Sequence, residues 1–336
     1  MTTTSFAAFS DNAIMFASIV YVLAFLAHLT EWVFLRSLPV AASVDDRASV
    51  LVGTSAAGSG DSSAAEVAQA MPAPEDLADR ELRVEQFGRI GLALTVLGCL
   101  LHVSGLVSRG LASDPVRVPW GNMYEFTLAG TFGVSLMYLV LMKRYHLRWM
   151  GVVVTGFLVV VLMLDQLVLY QDAGPLVPAL HSYWLAIHVL AAIVASGAFA
   201  TGALALGLFL VKDRADRRGK IRPGGYLSRL PSTEALERVG YRLNAFGFPI
   251  WTFAALVAGP IWAEYAWGSY WNWDPKEVWA FITWVIYAAY LHARATAGWK
   301  GKAASVIALV GFASLLFNFI GINYFFGSGS LHSYSG

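Results

Sequence analysis

The sequence predicts an all-α integral membrane protein of about eight transmembrane helices, with both termini extracytoplasmic. Three observations predict this fold: the composition, long apolar runs along the whole chain, and basic residues in alternate loops. Hydrophobic residues make up 57% of the chain and charged residues 13%, whereas about a quarter of a soluble domain is charged. One soluble core could not bury so many separate apolar runs, so we expect lipid to solvate them.

The apolar runs have about the ~20 residues that a helix needs to cross ~30 Å of hydrocarbon. We expect spanning helices at 12–35, 89–109, 122–142, 149–170, 183–211, 244–263, 277–297 and 303–325. The first run is too long for a signal-peptide core and follows no basic segment, which predicts an uncleaved anchor.

These runs divide the chain into five parts. They are a first transmembrane helix (1–36), a cytoplasmic segment (37–88), helices two to five (89–211), a basic cytoplasmic loop (212–243), and helices six to eight (244–336) with an outward tryptophan-rich loop at 264–279. Residues 38–80 are mainly Ala, Ser, Gly, Asp and Pro, a composition that predicts flexibility.

Lys and Arg set the predicted orientation, because cytoplasmic loops of membrane proteins carry the excess of positive charge. Basic residues cluster between helices one and two, three and four, five and six, and seven and eight. The alternate loops are nearly bare: 171–182 and the tail after 326 contain no Lys or Arg, and 264–276 contains only Lys276. Arg109 and Arg117, at the 110–121 loop, are the exception. The protein is therefore predicted to be a multi-pass protein of the cytoplasmic membrane.

Several chemistries lack support in the sequence. Cys99 is the only cysteine and stands in an apolar run, which excludes an internal disulfide and a dithiol motif. The chain contains no phosphate-binding loop, no dinucleotide fingerprint and no H-E-x-x-H motif, so nucleotide-driven transport and zinc proteolysis are not indicated. The net charge of +1 does not indicate a nucleic-acid partner, and we expect none.

The outward loop between helices six and seven reads W-G-S-Y-W-N-W-D-P-K-E-V-W over residues 267–279. Its candidate binding residues are Trp267, Gly268, Trp271, Trp273, Asp274 and Trp279. Indoles also gather at membrane interfaces, so an interfacial belt is the alternative interpretation. An interfacial belt does not require four tryptophans within thirteen residues, interleaved with Gly268 and Pro275. This density predicts a platform for a flat, apolar ligand.

Two histidines flank this loop on the same predicted side of the membrane, His181 at the end of helix five and His332 in the tail. Two neutral imidazoles across a flat aromatic surface are what a six-coordinate haem iron requires. We therefore predict haem as the ligand, with His181 and His332 binding its iron. A solvated polar role is the alternative for each histidine alone.

Depth along the helices suggests a second, inner site. At ~1.5 Å per residue, His292 lies ~22 Å and His28 ~24 Å from the outer surface. Ionisable side chains inside a membrane usually mark a pathway or ligand site. We predict His292 as an inner haem ligand with His28 as its mate, against the alternative of a histidine bonded to a neighbouring helix.

The segment V-P-W-G-N-M-Y-E-F, residues 118–126, begins helix three on the outward side. It places Trp120 where it would line the same outer chamber as the tryptophan-rich loop. The alternative interpretation is an ordinary helix cap with an interfacial tryptophan.

The loop at 267–279, its continuation A-F-I-T-W-V-I-Y-A-A-Y-L-H to His292, and the flanking His181 and His332 resemble the haem-handling membrane proteins with a tryptophan-rich "WWD" loop. The closest resemblance is to the CcsA (ResC) family of System II cytochrome c biogenesis. It implies that His181 and His332 are the external haem ligands and that His292 is a transmembrane ligand. The second transmembrane ligand is either His28 or a residue of a CcsB/ResB-type partner subunit.

The resemblance also implies the activity. The chain would be the membrane subunit of a holocytochrome c synthase that works in complex with its partner. It would carry haem b, its bound substrate, to the outer face and present it for thioether attachment to the C-x-x-C-H motif of apocytochrome c. The rival interpretations are a haem transporter without synthase chemistry and a quinol-binding redox subunit.

Overall fold

The computed structural model describes residues 2–36, 38, 74–114, 116–145, 147–173, 182–222, 225–296, 299–326 and 331. Helices make up nearly all of these residues, and the described ranges contain no strand. The predicted all-α class is therefore confirmed.

Each predicted apolar run forms a helix. The helices are α1 (Thr3–Arg36), α2 (Pro74–Leu111), α3 (Met123–Met142), α4 (Leu147–Leu169), α5 (Tyr183–Asp216), α6 (Thr233–Trp267), α7 (Pro275–Ala295) and α8 (Lys302–Gly321). A one-turn helix, Tyr226–Arg229, precedes α6, and another, Ile322–Phe325, continues α8.

Seven of these helices are long and apolar enough to cross a membrane, counted over the described ranges. The remaining helix, α7, has 21 residues but carries Lys276 and Glu277 in its first turn and His292 and Arg294 in its last. These polar ends lower its average apolarity. The protein is a multi-pass membrane protein.

The predicted cytoplasmic segment 37–88 is shorter than expected, because α2 begins at Pro74 and not near residue 89. The extension packs on the end of α1: Phe87 stacks on Phe34 with ring centroids 5.5 Å apart, and the Arg83 guanidinium lies 5.6 Å from the Phe34 ring centroid. Residues 39–73 of that prediction lie outside the described residues.

The helices form two packed groups. In the first, α1 packs along α2 and α4, and its core includes Tyr21, Leu128 and Leu158. In the second, α5 packs against α6, and α7 packs against α8; the Phe199 and Tyr287 rings stack 3.8 Å apart in its core. Helices α3 and α5 join the groups where Gly133 meets Gly197, since a Cβ at Gly197 would lie 3.0 Å from the Gly133 carbonyl oxygen.

His28 lies inside the first helix group and is 1% exposed. Its Nδ1 is 3.3 Å from Glu31 Oε2, and its Nε2 is 3.5 Å from the Thr95 hydroxyl on α2. Arg148, in the first turn of α4, donates to the other Glu31 oxygen over 3.1 Å. Through His28 and Glu31, these contacts connect α1 with α2 and α4, an arrangement that itself stabilises the helix packing.

We predict that Gly151→Ala destabilises the protein. A Cβ at Gly151 would lie 2.7 to 2.9 Å from three atoms of the buried His28 ring, and overpacking of this kind costs ~1–3 kcal/mol. The midpoint of thermal unfolding in detergent should fall. Gly130→Ala is the control, because nothing lies within 4 Å of its added Cβ. Equal midpoints for the two variants would contradict the packing described here.

Candidate functional site

A cavity opens among α3, α5, α6, α7 and α8 at the end of the helices that carries the tryptophan-rich loop. We call it the outer chamber. Its empty volume is about 870 Å³, including the solvent at its mouth. Its aromatic walls are Phe126, Trp251, Trp262, Trp271 and Phe319, and its polar wall residues are His188, Lys276, Glu277 and Asn318. Most small-molecule sites have this character, apolar walls with a few convergent polar groups.

His188 reaches the outer chamber from the second turn of α5. Its ring stacks on Trp262, with centroids 6.1 Å apart and planes 15° apart, and its Nδ1 lies 2.8 Å from the Ala254 carbonyl oxygen. A carbonyl only accepts, so Nδ1 carries the proton and, in the neutral ring, Nε2 carries the lone pair. Histidines that bind metals usually donate their other N–H in this way, which fixes the ring.

The local backbone of α6 makes this contact possible. Residues Ala254–Ala258 form a π-helical turn, and the Ala254 carbonyl also accepts the Gly259 N–H. A Cβ at Gly259 would lie 3.2 Å from two His188 ring atoms, closer than ordinary contact. The next residue, Pro260, brings no N–H of its own, and the irregular turn accommodates that loss.

The four tryptophans of the loop take different positions relative to the chamber. Trp271 lies in the chamber wall, and Trp267 packs edge-on against the wall residue Trp262 at 4.8 Å. Trp279 packs against Phe317 of α8 at 4.3 Å. Trp273 is 73% exposed, and its ring meets that of Trp271 edge-on, with centroids 5.9 Å apart. The expected platform is therefore a layered arrangement, in which one loop indole lines the cavity.

Glu277 holds the loop in this shape. Its Oε2 accepts the N–H of Asn272 over 2.8 Å and that of Asp274 over 3.1 Å, on either side of Trp273. Trp273 has φ 56°, a left-handed conformation that is rare for a bulky side chain. Gly268, with φ 72°, ends α6 in the same region of backbone conformation, where glycine meets no steric penalty.

Asp274 joins the loop to the C-terminal tail. It begins α7 as the N-cap, with its Oδ2 accepting the Lys276 N–H over 3.1 Å. Its Oδ1 accepts the N–H of Leu331 over 2.6 Å. Leu331 therefore meets the start of α7, whose first turn supplies Lys276 and Glu277 to the outer chamber.

The segment before α3 is organised by a buried carboxylate. Glu125, which is 0% exposed, accepts hydrogen bonds from Arg117 and from the Gly121 N–H, and pairs with Arg109 over 3.3 Å. Asn122 caps α3 by accepting the Glu125 N–H. Trp120 is half-buried and is not among the chamber walls that the structure describes, although Met123 and Phe126 of the same segment are.

Of the two predicted histidine pairs, the structure describes only the inner one, His28 and His292. His181 and His332 lie outside the described residues, so the structure gives no contact for either. His292 lies exposed on α7, whereas His28 is enclosed by α1, α2 and α4. The described contacts of His28 are with Glu31 and Thr95, and they do not bring it to His292.

His188, Trp251 and Trp262 line the chamber but were not among the candidates predicted from the sequence. A helical register was available for His188: Leu185, His188, Val189 and Ala192 share one face of α5, and they are chamber walls. Trp251 and Trp262 both line the chamber from α6, one on each side of its π-helical turn at Ala254–Ala258; a regular helical register does not predict this arrangement.

The fold and the chamber define a multi-pass membrane protein with an aromatic, histidine-containing cavity at one end of its helices. Residues 120–328, which include every chamber wall, match the family described as "Cytochrome C assembly protein". The chain belongs to this family, as a protein of the CcsA type.

Curated relatives agree in length as well as in sequence. "Cytochrome c biogenesis protein CcsA" of Guillardia theta is 35% identical over 261 residues, covering 73% of this chain and 85% of that protein. The protein of the same name from Synechococcus sp. (strain JA-3-3Ab) is 32% identical over 304 residues, covering 75% and 87%. The one from Porphyra purpurea is 33% identical over 292 residues, covering 75% and 89%.

We predict that Glu125→Gln destabilises the protein by ~1.5–3 kcal/mol, because it removes the carboxylate that the buried Arg109 and Arg117 share. Unfolding in detergent would measure the change. Glu85→Gln makes the same substitution in an exposed pair with Arg89 and should leave stability unchanged. A Glu125→Gln variant as stable as this control would show that the buried pairs do not hold the segment.

Proposed function

We propose that this protein binds haem in the outer chamber and presents it to apocytochrome c for thioether attachment at a C-x-x-C-H motif. The relatives named for cytochrome c biogenesis support the process. The observation that carries the proposal is the position of His188 against Trp262 in a cavity that Trp271 also lines, with its Nδ1–H held by the Ala254 carbonyl.

The chamber residues fit haem by their chemistry. Indole and phenyl walls suit the flat, apolar porphyrin, and an imidazole with a fixed tautomer suits its iron. Lys276 has the sign that a propionate carboxylate requires. The carboxylate of Glu277 holds the loop through two backbone N–H groups, so its charge is directed to the loop backbone.

Three histidines are candidates for the two axial ligands of the outer site: His181, His188 and His332. We propose His332 as one ligand, supported by the contact between Leu331 and Asp274 at the chamber turn. His181 is the second ligand that the family resemblance implies. The described contacts favour His188 in that place, since its ring already lies in the chamber wall.

The attachment reaction requires position and no nucleophile from this chain. Each thiol of the acceptor adds across one haem vinyl group: the sulfur bonds to one carbon and the hydrogen goes to the other, with no net change in electrons. The acceptor's histidine then replaces one of the chain's axial ligands. Holding the two reactants in register supplies the acceleration, which agrees with a chain whose single cysteine, Cys99, is buried.

We further propose that His292 binds haem at the inner end of α7 with a ligand from a CcsB/ResB-type partner. An exposed histidine on a membrane helix is costly unless a partner or ligand covers it. His28 already contacts Glu31 and Thr95, so the partner is the better supported source of the second ligand. Haem would then pass from this site to the outer chamber.

We predict that glycine variants identify the outer ligands. Haem co-purified with the chain, or with its complex, should have the low-spin spectrum of a bis-imidazole iron. Among His181→Gly, His188→Gly and His332→Gly, two should lose haem or low-spin character, and added imidazole should restore both. His146→Gly, in a predicted cytoplasmic loop, is the control. Unchanged spectra in all three variants would remove the proposed site.

A second experiment separates synthase from haem carrier. Co-expression with a C-x-x-C-H acceptor should give haem that stays on the acceptor after denaturation, while an S-x-x-S-H acceptor should give none. The two histidine variants that lose low-spin haem in the first experiment should also lose this product and regain it with imidazole. Normal haem binding without any covalent product, with the partner present, would favour a haem transporter.

A further inference from the structure

Asp274 uses both oxygens of its carboxylate, each for a different part of the chain. Oδ2 accepts the Lys276 N–H within the first turn of α7, and Oδ1 accepts the Leu331 N–H from 57 positions away. The residue is only 5% exposed. Because the acceptor is charged, the bond to the tail is about twice as strong as a neutral one.

Capping α7 does not by itself require a carboxylate. An N-cap needs one side-chain oxygen, and Ser, Asn and Asp serve about equally well. The second oxygen is the one that holds the tail, and neither Ser nor Asn can supply a second acceptor oxygen. The chemistry of Asp274 therefore exceeds its capping role, and the described contact that uses the other oxygen is the hydrogen bond to Leu331.

The turn that holds the tail is rigid and belongs to the outer chamber. Glu277 fixes the Asp274 backbone by accepting its N–H over 3.1 Å, and the capping box closes with both side chains engaged. Lys276 and Glu277 of the same turn are chamber walls. An anchor at Asp274 thus fixes the tail relative to the chamber.

We infer that Asp274 is a positioning residue that holds the C-terminal tail at the outer chamber so that His332 reaches the haem iron. The inference rests on the proposed function. Leu331 directly precedes His332, and consecutive Cα atoms are ~3.8 Å apart. Anchoring the Leu331 amide would keep the next residue of the chain near the first turn of α7, and it would lower the entropy that a loose tail loses on binding iron.

The test compares Asp274→Ser with Asn122→Ser. Each variant keeps a side-chain oxygen as the N-cap, of α7 or of α3, and only the first removes the acceptor of the Leu331 N–H. In the full-length, haem-loaded protein, Asp274→Ser should convert low-spin iron to a high-spin or mixed form. Millimolar imidazole should restore the low-spin spectrum. Asn122→Ser should leave it unchanged.

Hydrogen exchange tests the tether without haem. The tail peptide that contains residue 331 should exchange one amide at least about tenfold faster in Asp274→Ser than in the unaltered protein, with no change in Asn122→Ser. Unchanged exchange overturns the tether. Faster exchange with a low-spin spectrum that does not change overturns the positioning role.

A double variant distinguishes this inference from the proposed function. In the His332→Gly background, with imidazole present, Asp274→Ser should cause no further spectral change, because the residue acts through His332. An additional loss of haem there would show that Asp274 acts as structure or as a direct contact. If His332→Gly alone has no spectral effect, the ligand assignment fails, while hydrogen exchange still decides the tether.

Discussion

The hydrogen bond from His188 Nδ1 to the Ala254 carbonyl sets the geometry on which the outer chamber depends. It crosses from α5 to a π-helical turn of α6 and holds the imidazole flat against Trp262. The π-turn leaves its carbonyl oriented for a side chain, and Gly259 leaves room for the ring. One irregular turn in an otherwise regular helix thus places an imidazole in a cavity with aromatic walls.

The opposite wall depends on the first turn of α7. Glu277 accepts hydrogen bonds from two loop N–H groups. Asp274 accepts one from Lys276 in that turn and one from Leu331 in the tail. The left-handed conformation of Trp273 follows from this arrangement, because the N–H groups on either side of it converge on one carboxylate oxygen. The loop is therefore a rigid part of the chamber, built by backbone groups as much as by its indoles.

The helices were predictable because lipid imposes a length and an apolarity on each span. The start of α2 was not, since residues 74–88 are polar and their helix is stabilised by packing on Phe34. The chamber's general location followed from the tryptophans, but their individual positions did not. Trp273 is exposed in a backbone conformation that no side-chain pattern encodes.

Depth along the helices could not decide whether His28 and His292 face each other. It gives a position along the membrane normal, where His28 and His292 agree, but it says nothing of direction around the helix bundle. His28 faces α2 and α4, and His292 lies exposed on α7. His188 was not predicted as a chamber residue for a related reason. Its contacts, Ala254 and Trp262, belong to α6, and the sequence of α5 alone does not specify them.

A density map of the full-length protein purified with haem tests the central claim most directly. This account predicts planar density inside the chamber bounded by α3, α5, α6, α7 and α8, in contact with Trp271 and with an imidazole at the iron. Haem density outside that cavity, against the exposed Trp273 or elsewhere on the helices, with the cavity filled by solvent or lipid, would contradict it.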